Sequence, residues 1–275
     1  MGNLILMGNH GLYRNGATSG ASPWTPANIA TSLWLDAADA STITLNGSTV
    51  SQWNDKSGNG RNATQATAAN QPTYTASGLN GKPVFTFDGI NDYLTHNLFP
   101  TNLTAINLFI VAKWTTTGTT TATIQALIDN NHSGIPLIRG FAMQDRPDLV
   151  NHPVTFAHIP IATSGAIDTE TTGNNTWRII NGLAISGGDD FLRINGNQRG
   201  FLANGGFFNL QTTFNIGAWF NGSIYSRFYG GQIAEIVLTD NNLNTEILEG
   251  YLAHKWELTA NLPVSHPFKT LPPTL

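Results

Sequence analysis

Hydrophobic and polar positions along this chain alternate in short runs, which is the period of β-strands with one buried face. Between Gly81 and Leu94, Val84, Phe85 and Phe87 supply β-branched and aromatic strand formers, Asp88-Gly89 opens a reversal, and Tyr93-Leu94 starts a return. The pattern predicts a hairpin, with Phe85 or Phe87 anchoring a core. A second hairpin is predicted over Thr42–Trp53, where Asn46-Gly47 carries the type I′ turn signal. Further strands are expected at Leu33–Asp36, Ile106–Trp114, Thr123–Asp129, Trp177–Ile185, Asp190–Ile194, Thr212–Gly217 and Gln232–Thr239. From about 130 to 176, Pro136, Pro147, Pro153 and Pro160 break the pattern into loops with short strands such as Val154–His158.

One segment has helical period. From Thr245 to about Leu258, Ile247, Leu248, Tyr251, Leu252 and Trp256 share a face. Asn244 is placed as N-cap, Leu243 and Leu248 as a hydrophobic staple, and Glu246 suits the positive end of the helix dipole. Residues 1–26 are Gly- and Asn-rich and are expected to form an extended arm, whose Leu4, Ile5, Leu6, Tyr13 and Trp24 are apolar enough to dock on a neighbouring subunit. Residues 27–260 are expected to form one domain, followed by a Pro-rich extended tail at 261–275 that covers a sheet edge or reaches a partner.

Composition narrows the function classes. Only 11% of the 275 residues are charged, so hydroxyls and amides must cover the surface, or contacts must hide part of it. The net charge of −4 supplies no basic footprint for nucleic acid. With no cysteine, neither disulfides nor thiolate metal sites hold the fold. No apolar run is long enough for a membrane span, and Met1–His10 lacks the charged flank and cleavage site of a secretory signal.

Several motifs follow in a set order: Trp53-Asn-Asp-Lys-Ser-Gly-Asn-Gly60, Gln71-Pro-Thr-Tyr74, Phe87-Asp-Gly-Ile-Asn-Asp-Tyr93, Phe191-Leu-Arg-Ile-Asn-Gly196, Gly231-Gln-Ile-Ala-Glu-Ile-Val-Leu238 and Glu249-Gly-Tyr-Leu-Ala-His-Lys-Trp256. This succession resembles the laminin-G-like or concanavalin-A-like jelly rolls of phage and bacterial surface proteins, over roughly residues 30–258. The resemblance implies an all-β, two-sheet antiparallel sandwich with one C-terminal helix. It leaves function open, since this fold hosts lectins, hydrolases, adhesion modules and virion proteins.

Catalytic signatures are sparse. Glycosidases of this fold need two carboxylates about 5 to 9 Å apart, and no Glu-x-Asp-x-x-Glu pattern occurs. Glu235 stands alone in a core strand, Glu170 lies in a Thr-rich loop, and Asp189-Asp190 face opposite sides of a strand. There is no Gly-x-Ser-x-Gly elbow, and the chain is read as a non-enzyme. His132, His152 and His158 with Asp129, Asp145 and Asp148 lack zinc spacing. Calcium is the ion weighed, with Asp55, Asp88 and Asp92 as its candidate ligands and bonding to their own turn amides as the other reading; many relatives of the resemblance carry one Ca²⁺.

The remaining candidate is the loop Gly217–Gly230, which gathers Trp219, Phe220, Tyr225, Phe228 and Tyr229 around Arg227. Such aromatics suit core packing, a subunit interface or a sugar platform. Together these features favour a non-enzymatic virion structural protein: a capsid decoration, head-fibre or tail-associated adhesion module on the particle surface, by analogy a homotrimer. It would contact other virion proteins through arm and tail, with a surface glycan as a further ligand. The alternatives are an extracellular lectin-like carbohydrate-binding module of a bacterial surface protein and a polysaccharide hydrolase.

Overall fold

The computed structural model describes residues 3–6, 12–15, 22–115, 124–130, 141–145, 154–158, 166–167 and 175–275. In chain order its strands begin with β1 (Asn3–Leu6), β2 (Leu12–Asn15), β3 (Leu33–Asp36), β4 (Ile43–Asn46), β5 (Thr49–Trp53), β6 (Ala63–Thr64) and β7 (Thr73–Leu79). There follow β8 (Lys82–Asp88), β9 (Leu94–His96), β10 (Ala105–Trp114), β11 (Gln125–Asp129), β12 (Phe141–Asp145), β13 (Val154–His158) and β14 (Ala166–Ile167). The rest are β15 (Arg178–Ile185), β16 (Gly188–Ile194), β17 (Asn197–Gly206), β18 (Phe214–Ile216), β19 (Trp219–Phe220), β20 (Tyr225–Ser226) and β21 (Gly230–Thr239), before one α-helix, α1 (Thr245–Lys255).

Every pairing is antiparallel, and the pairings define two layers. In the first, β17, β16, β15, β10 and β21 are neighbours, and the far edge of β21 is shared by β3 and by β8, which carries β7. In the second, the order is β14, β13, β12, β11, β18, β9, β6, β5, β4. A single pairing, Thr49 with Thr73, links them. This is a jelly-roll sandwich, the expected fold.

Two cores flank the first layer. On β10, Leu108, Ile110 and Ala112 pack between the sheets, while Phe109 and Val111 face the opposite way, against α1. Both faces of the strand are therefore dry, which is why residues 105–114 are almost continuously apolar. A bulge opposite Val111 and Ala112 sends both Ala234 and Glu235 of β21 to the helix side. Where the pattern predicts one of Phe85 and Phe87 as the core anchor, both enter the core between the sheets.

Other expectations need revision. The segment Gly81–Leu94 is not a hairpin: β8 pairs with β7 and β21, whereas β9 pairs with β18 and β6 in the other layer. Its Asp88–Asp92 turn carries the chain between sheets. The hairpin turn lies earlier, at Asn80-Gly81, whose φ values of 48° and 77° are those a type I′ turn demands. In β4–β5 the two-residue turn is Gly47-Ser48, and only Gly47 has positive φ, so Asn46-Gly47 does not form the expected I′ pair.

Helix α1 starts at Thr245 as read, yet Asn244 sits at φ 64° with no side-chain cap bond, and Leu243 is exposed, so neither cap nor staple forms. Within the amino-terminal arm, β1 and β2 pair with each other rather than running extended. The Pro-rich tail lies on its own domain: Phe268 and Leu262 enter the helix-side core, and Trp24 and Leu275 donate backbone hydrogen bonds to the carbonyls of Pro273 and Ser22. No helix among the described residues is long and apolar enough to cross a membrane.

Candidate functional site

The short strands β19 and β20 pair Trp219 with Ser226 and Phe220 with Tyr225, forming a small hairpin that projects beyond β18. Asp129, buried at the end of β11, anchors its base: one carboxylate oxygen accepts from the Phe220 N–H and from Asn215 Nδ2, both at 3.2 Å. Asn221 closes the tip by accepting from the N–H groups of Ser223 and Ile224. The rings form a half-buried array. Tyr93 stacks on Tyr225 with centroids 3.9 Å apart, Phe220 lies 4.7 Å from Tyr225, and the Arg227 guanidinium sits 4.3 Å over Trp219. Burial, then the neighbouring Tyr93, push the Tyr225 hydroxyl above the ordinary phenol range, opposed by its bond with Thr95. Ile224 at the tip and Ile90 in the adjoining turn are each 61% exposed.

Of the six aromatic-loop candidates, Phe220 and Tyr225 meet in this array, Phe228 lies 6.5 Å from Tyr93, and Trp219 pairs with Arg227 on the alternate face of the hairpin. Tyr229 joins neither group: it is fully buried, packs against Phe87 and Trp114, and donates its hydroxyl to the Lys113 carbonyl at 2.5 Å. It belongs to the core. Tyr93 is the member the sequence reading missed, although its place beside inward-facing Leu94 marks it as facing away from the core.

The calcium candidates are engaged by their own loops. Asp55 accepts from the N–H of Trp34 and Ser57 on one oxygen, and from Ser57 Oγ and the Arg61 N–H on the other. Asp88 Oδ1 accepts from the N–H groups of Ile90, Asn91 and Asp92, and Asp92 accepts from the Asp88 N–H. All three carboxylates bond amides of their own turns, Asp55 also bonds the N–H of Trp34 in β3, and no cluster of three metal-ligating groups occurs among the described residues. Burial, then Asp88, push the Asp92 carboxyl up to about 7. His132, His152, Asp148 and Glu170 lie outside the described residues, as do the side chains of Asp145 and His158.

Glu235 is not alone. It accepts from the indole N–H of Trp34 (2.7 Å) and Trp256 (2.6 Å) and from the Tyr251 hydroxyl (3.1 Å), and pairs with Lys255 at 2.7 Å. Lys255 also meets Asp36, which meets Lys56, which meets Asp39. Burial pushes the Glu235 carboxyl up, while Lys255 and the indole donor of Trp34 pull it down. A second buried carboxylate, Glu249, takes both arms of Arg193 at 2.8 and 2.9 Å and a contact from His266 at 3.3 Å. Burial pushes Glu249 up, but His266 and Arg193 outweigh it and hold the group below its ordinary value. Both carboxylates are sealed from solvent and fasten α1 and the tail to the first sheet.

At the other end of the sandwich lies a polar cleft of ≈ 540 Å³, lined among others by Ser32, Asn59, Arg61, Asn102, Thr104 and Asp240. It was not read from the sequence, because it joins four distant segments.

No protein-family model matches the sequence, and no curated protein matches it either. Solved structures do. The ligand-binding domain of botulinum neurotoxin serotype D, solved in complex with N-acetylneuraminic acid, superposes with a TM-score of 0.55 at 12% identity, covering 78% of this chain and 48% of that one. The receptor-binding domain of botulinum neurotoxin type G gives 0.52 at 13%, covering 84% and 51%. This chain spans about half the length of either. The shared feature is the fold, a jelly-roll sandwich of the kind found within these binding domains.

Proposed function

We propose that the chain is a non-catalytic, lectin-like module that binds a carbohydrate across the β19–β20 hairpin. The observation that carries this reading is the half-exposed ring array of Tyr93, Tyr225 and Phe220, held at its base by Asp129 through the Phe220 N–H and capped by the Asn221 turn. Flat rings give apolar surface to the C–H faces of a sugar, and neighbouring amides bond its hydroxyls. The structural neighbours support the class of ligand: one is a ligand-binding domain seen with a sialic acid, another a receptor-binding domain. The virion reading drew on arm and tail as assembly elements, and the tail is occupied on its own helix.

The test is a glycan array on the full chain followed by titration calorimetry on the best ligand. Tyr93→Ala is expected to weaken binding by about two- to twelvefold, from the roughly 0.5–1.5 kcal/mol of one ring contact. Adding Tyr225→Ala should weaken it further, with the melting transition retained. Unchanged affinity in the double variant overturns the placement, and loss of a higher-mass species instead assigns the hairpin to subunit contact.

A further inference from the structure

We propose that the polar cleft around Arg61 is a second binding site, selective for a carboxylate-bearing sugar. It goes beyond the hairpin reading, since β21 starts beside the hairpin and ends at the cleft, ten residues away, about 30 Å at strand rise.

The Trp53–Gly60 loop builds the site. Asp55 knots it, and one of the four bonds it accepts comes from the Arg61 N–H, which fixes where that residue leaves the loop. Asn59 crosses to the segment before β3, its Nδ2 donating to the carbonyls of Thr31 and Ser32. The Arg61 side chain is then held at two points: Nε donates to the Leu98 carbonyl at 3.2 Å, and Nη1 donates to the Ser32 carbonyl. Neither bond uses Nη2. Both partners are neutral carbonyls, so the guanidinium is oriented without a direct ion pair. Burial lowers its affinity for the proton, and Asp55 and Asp240 act on it through space in the opposite sense.

A fixed, partly dehydrated guanidinium lining an open cleft matches a carboxylate, which takes a forked donor in one plane. Around it Ser32, Asn59, Asn102 and Thr104 offer hydroxyl and amide groups, and Asp240 offers an acceptor. That mixture fits a polyhydroxylated ring better than an apolar ligand. The cleft volume lies in the range that holds a small ligand.

The experiment titrates the full chain with methyl α-galacturonide and with methyl α-galactoside, which differ at C6 as carboxylate against hydroxymethyl, and with N-acetylneuraminic acid. Binding of an acidic probe at least tenfold tighter than the neutral one is expected, weakening as salt is raised. Arg61→Gln should abolish the preference, and Arg61→Lys, which keeps charge but not the fork, should retain part of it. Because Arg61 also ties two carbonyls, Asn102→Trp, at an exposed rim position, serves as a blocking variant that spares the fold. Equal affinity for acidic and neutral probes, no acidic binding, or acidic binding that survives both Arg61→Gln and Asn102→Trp overturns the proposal. Neutral-glycan binding at the hairpin can stand in all three cases.

Discussion

Glu235→Gln removes one charge and almost no volume, and the structure sets what it should cost. The carboxylate has four partners: it accepts from two indole N–H groups and the Tyr251 hydroxyl, and it is ion-paired with the Lys255 ammonium. A glutamine has one acceptor oxygen, and its amide nitrogen turns a donor toward two of those four partners. Trp256 is fully buried, so an indole N–H left there has no water to turn to. Losing a buried donor's partner costs about 1–3 kcal/mol, and breaking a buried ion pair about 3–5 kcal/mol. Asp36 still holds Lys255 at 2.7 Å, which keeps the expected loss at about 3–5 kcal/mol rather than the sum. In a chain of this size that is roughly 6–15 °C of melting temperature. The internal control is Glu257→Gln, which breaks the Lys82–Glu257 pair: its 2.6 Å is as short, but its side chains are 31% and 61% exposed. That variant should cost no more than about 1 kcal/mol. Urea unfolding followed by far-UV circular dichroism measures both. A Glu235→Gln midpoint within error of Glu257→Gln would refute the assignment of Glu235 as the buried acceptor joining helix to sheet.

Gly250→Ala should destabilise although it improves helix propensity, because a Cβ there would meet the Phe268 Cβ at 2.5 Å; faster proteolysis of residues 263–275 reads the displaced tail, and a stabilised variant would count against tail docking. Asp92, pushed up to about 7 by burial, costs the fold stability as pH rises from about 4 through 7; Asp92→Asn, which keeps an acceptor for the Asp88 N–H, should be the more stable form at pH 8, with the advantage vanishing near pH 4, and parallel curves would contradict this. His96 is held down to about 4 by burial, reinforced by Arg61; stability present above about 6.5 is lost as pH falls through 4, and chemical denaturation of His96→Gln across pH 4–7 should show a flatter slope.

What could be read in the sequence depended on how local the cause was. The apolar stretch of β10 and the 3.6-residue period of α1 are set within a few residues, and both elements are where the pattern puts them. The Asp88-Gly89 turn is also local, and it does turn the chain, but the identity of the sheet that receives β9 depends on β18, more than a hundred residues later. Strand β17 has a Gly- and Asn-rich sequence with little strand propensity, and its pairing with β16 decides it. Tyr225 and Tyr229 look equivalent in sequence; four residues apart, one stacks at the surface and the other closes the core. Glu235 read as solitary because the first of its donors, Trp34, is 201 residues away.

The placement of the two buried carboxylates bears on where the two proposed sites sit. Glu235 and Glu249 both fasten α1 to the outer face of the first sheet, and the tail is laid over that helix through Phe268 and His266. Backbone bonds from Trp24 to Pro273 and from Leu275 to Ser22 then tie the start of the domain to its end. The first sheet is thus covered on one side by helix and tail and on the other by the second sheet, and both proposed sites are built from loops at the ends of its strands. A loop site gains precision only when rigid elements hold it. Asp129 at the end of β11 does so for the hairpin, and Asp55, through its bond to the backbone of β3, does so for the cleft. An aspartate with the ligand groups of a metal site thereby serves as a backbone clamp, and the cation it positions is Arg61.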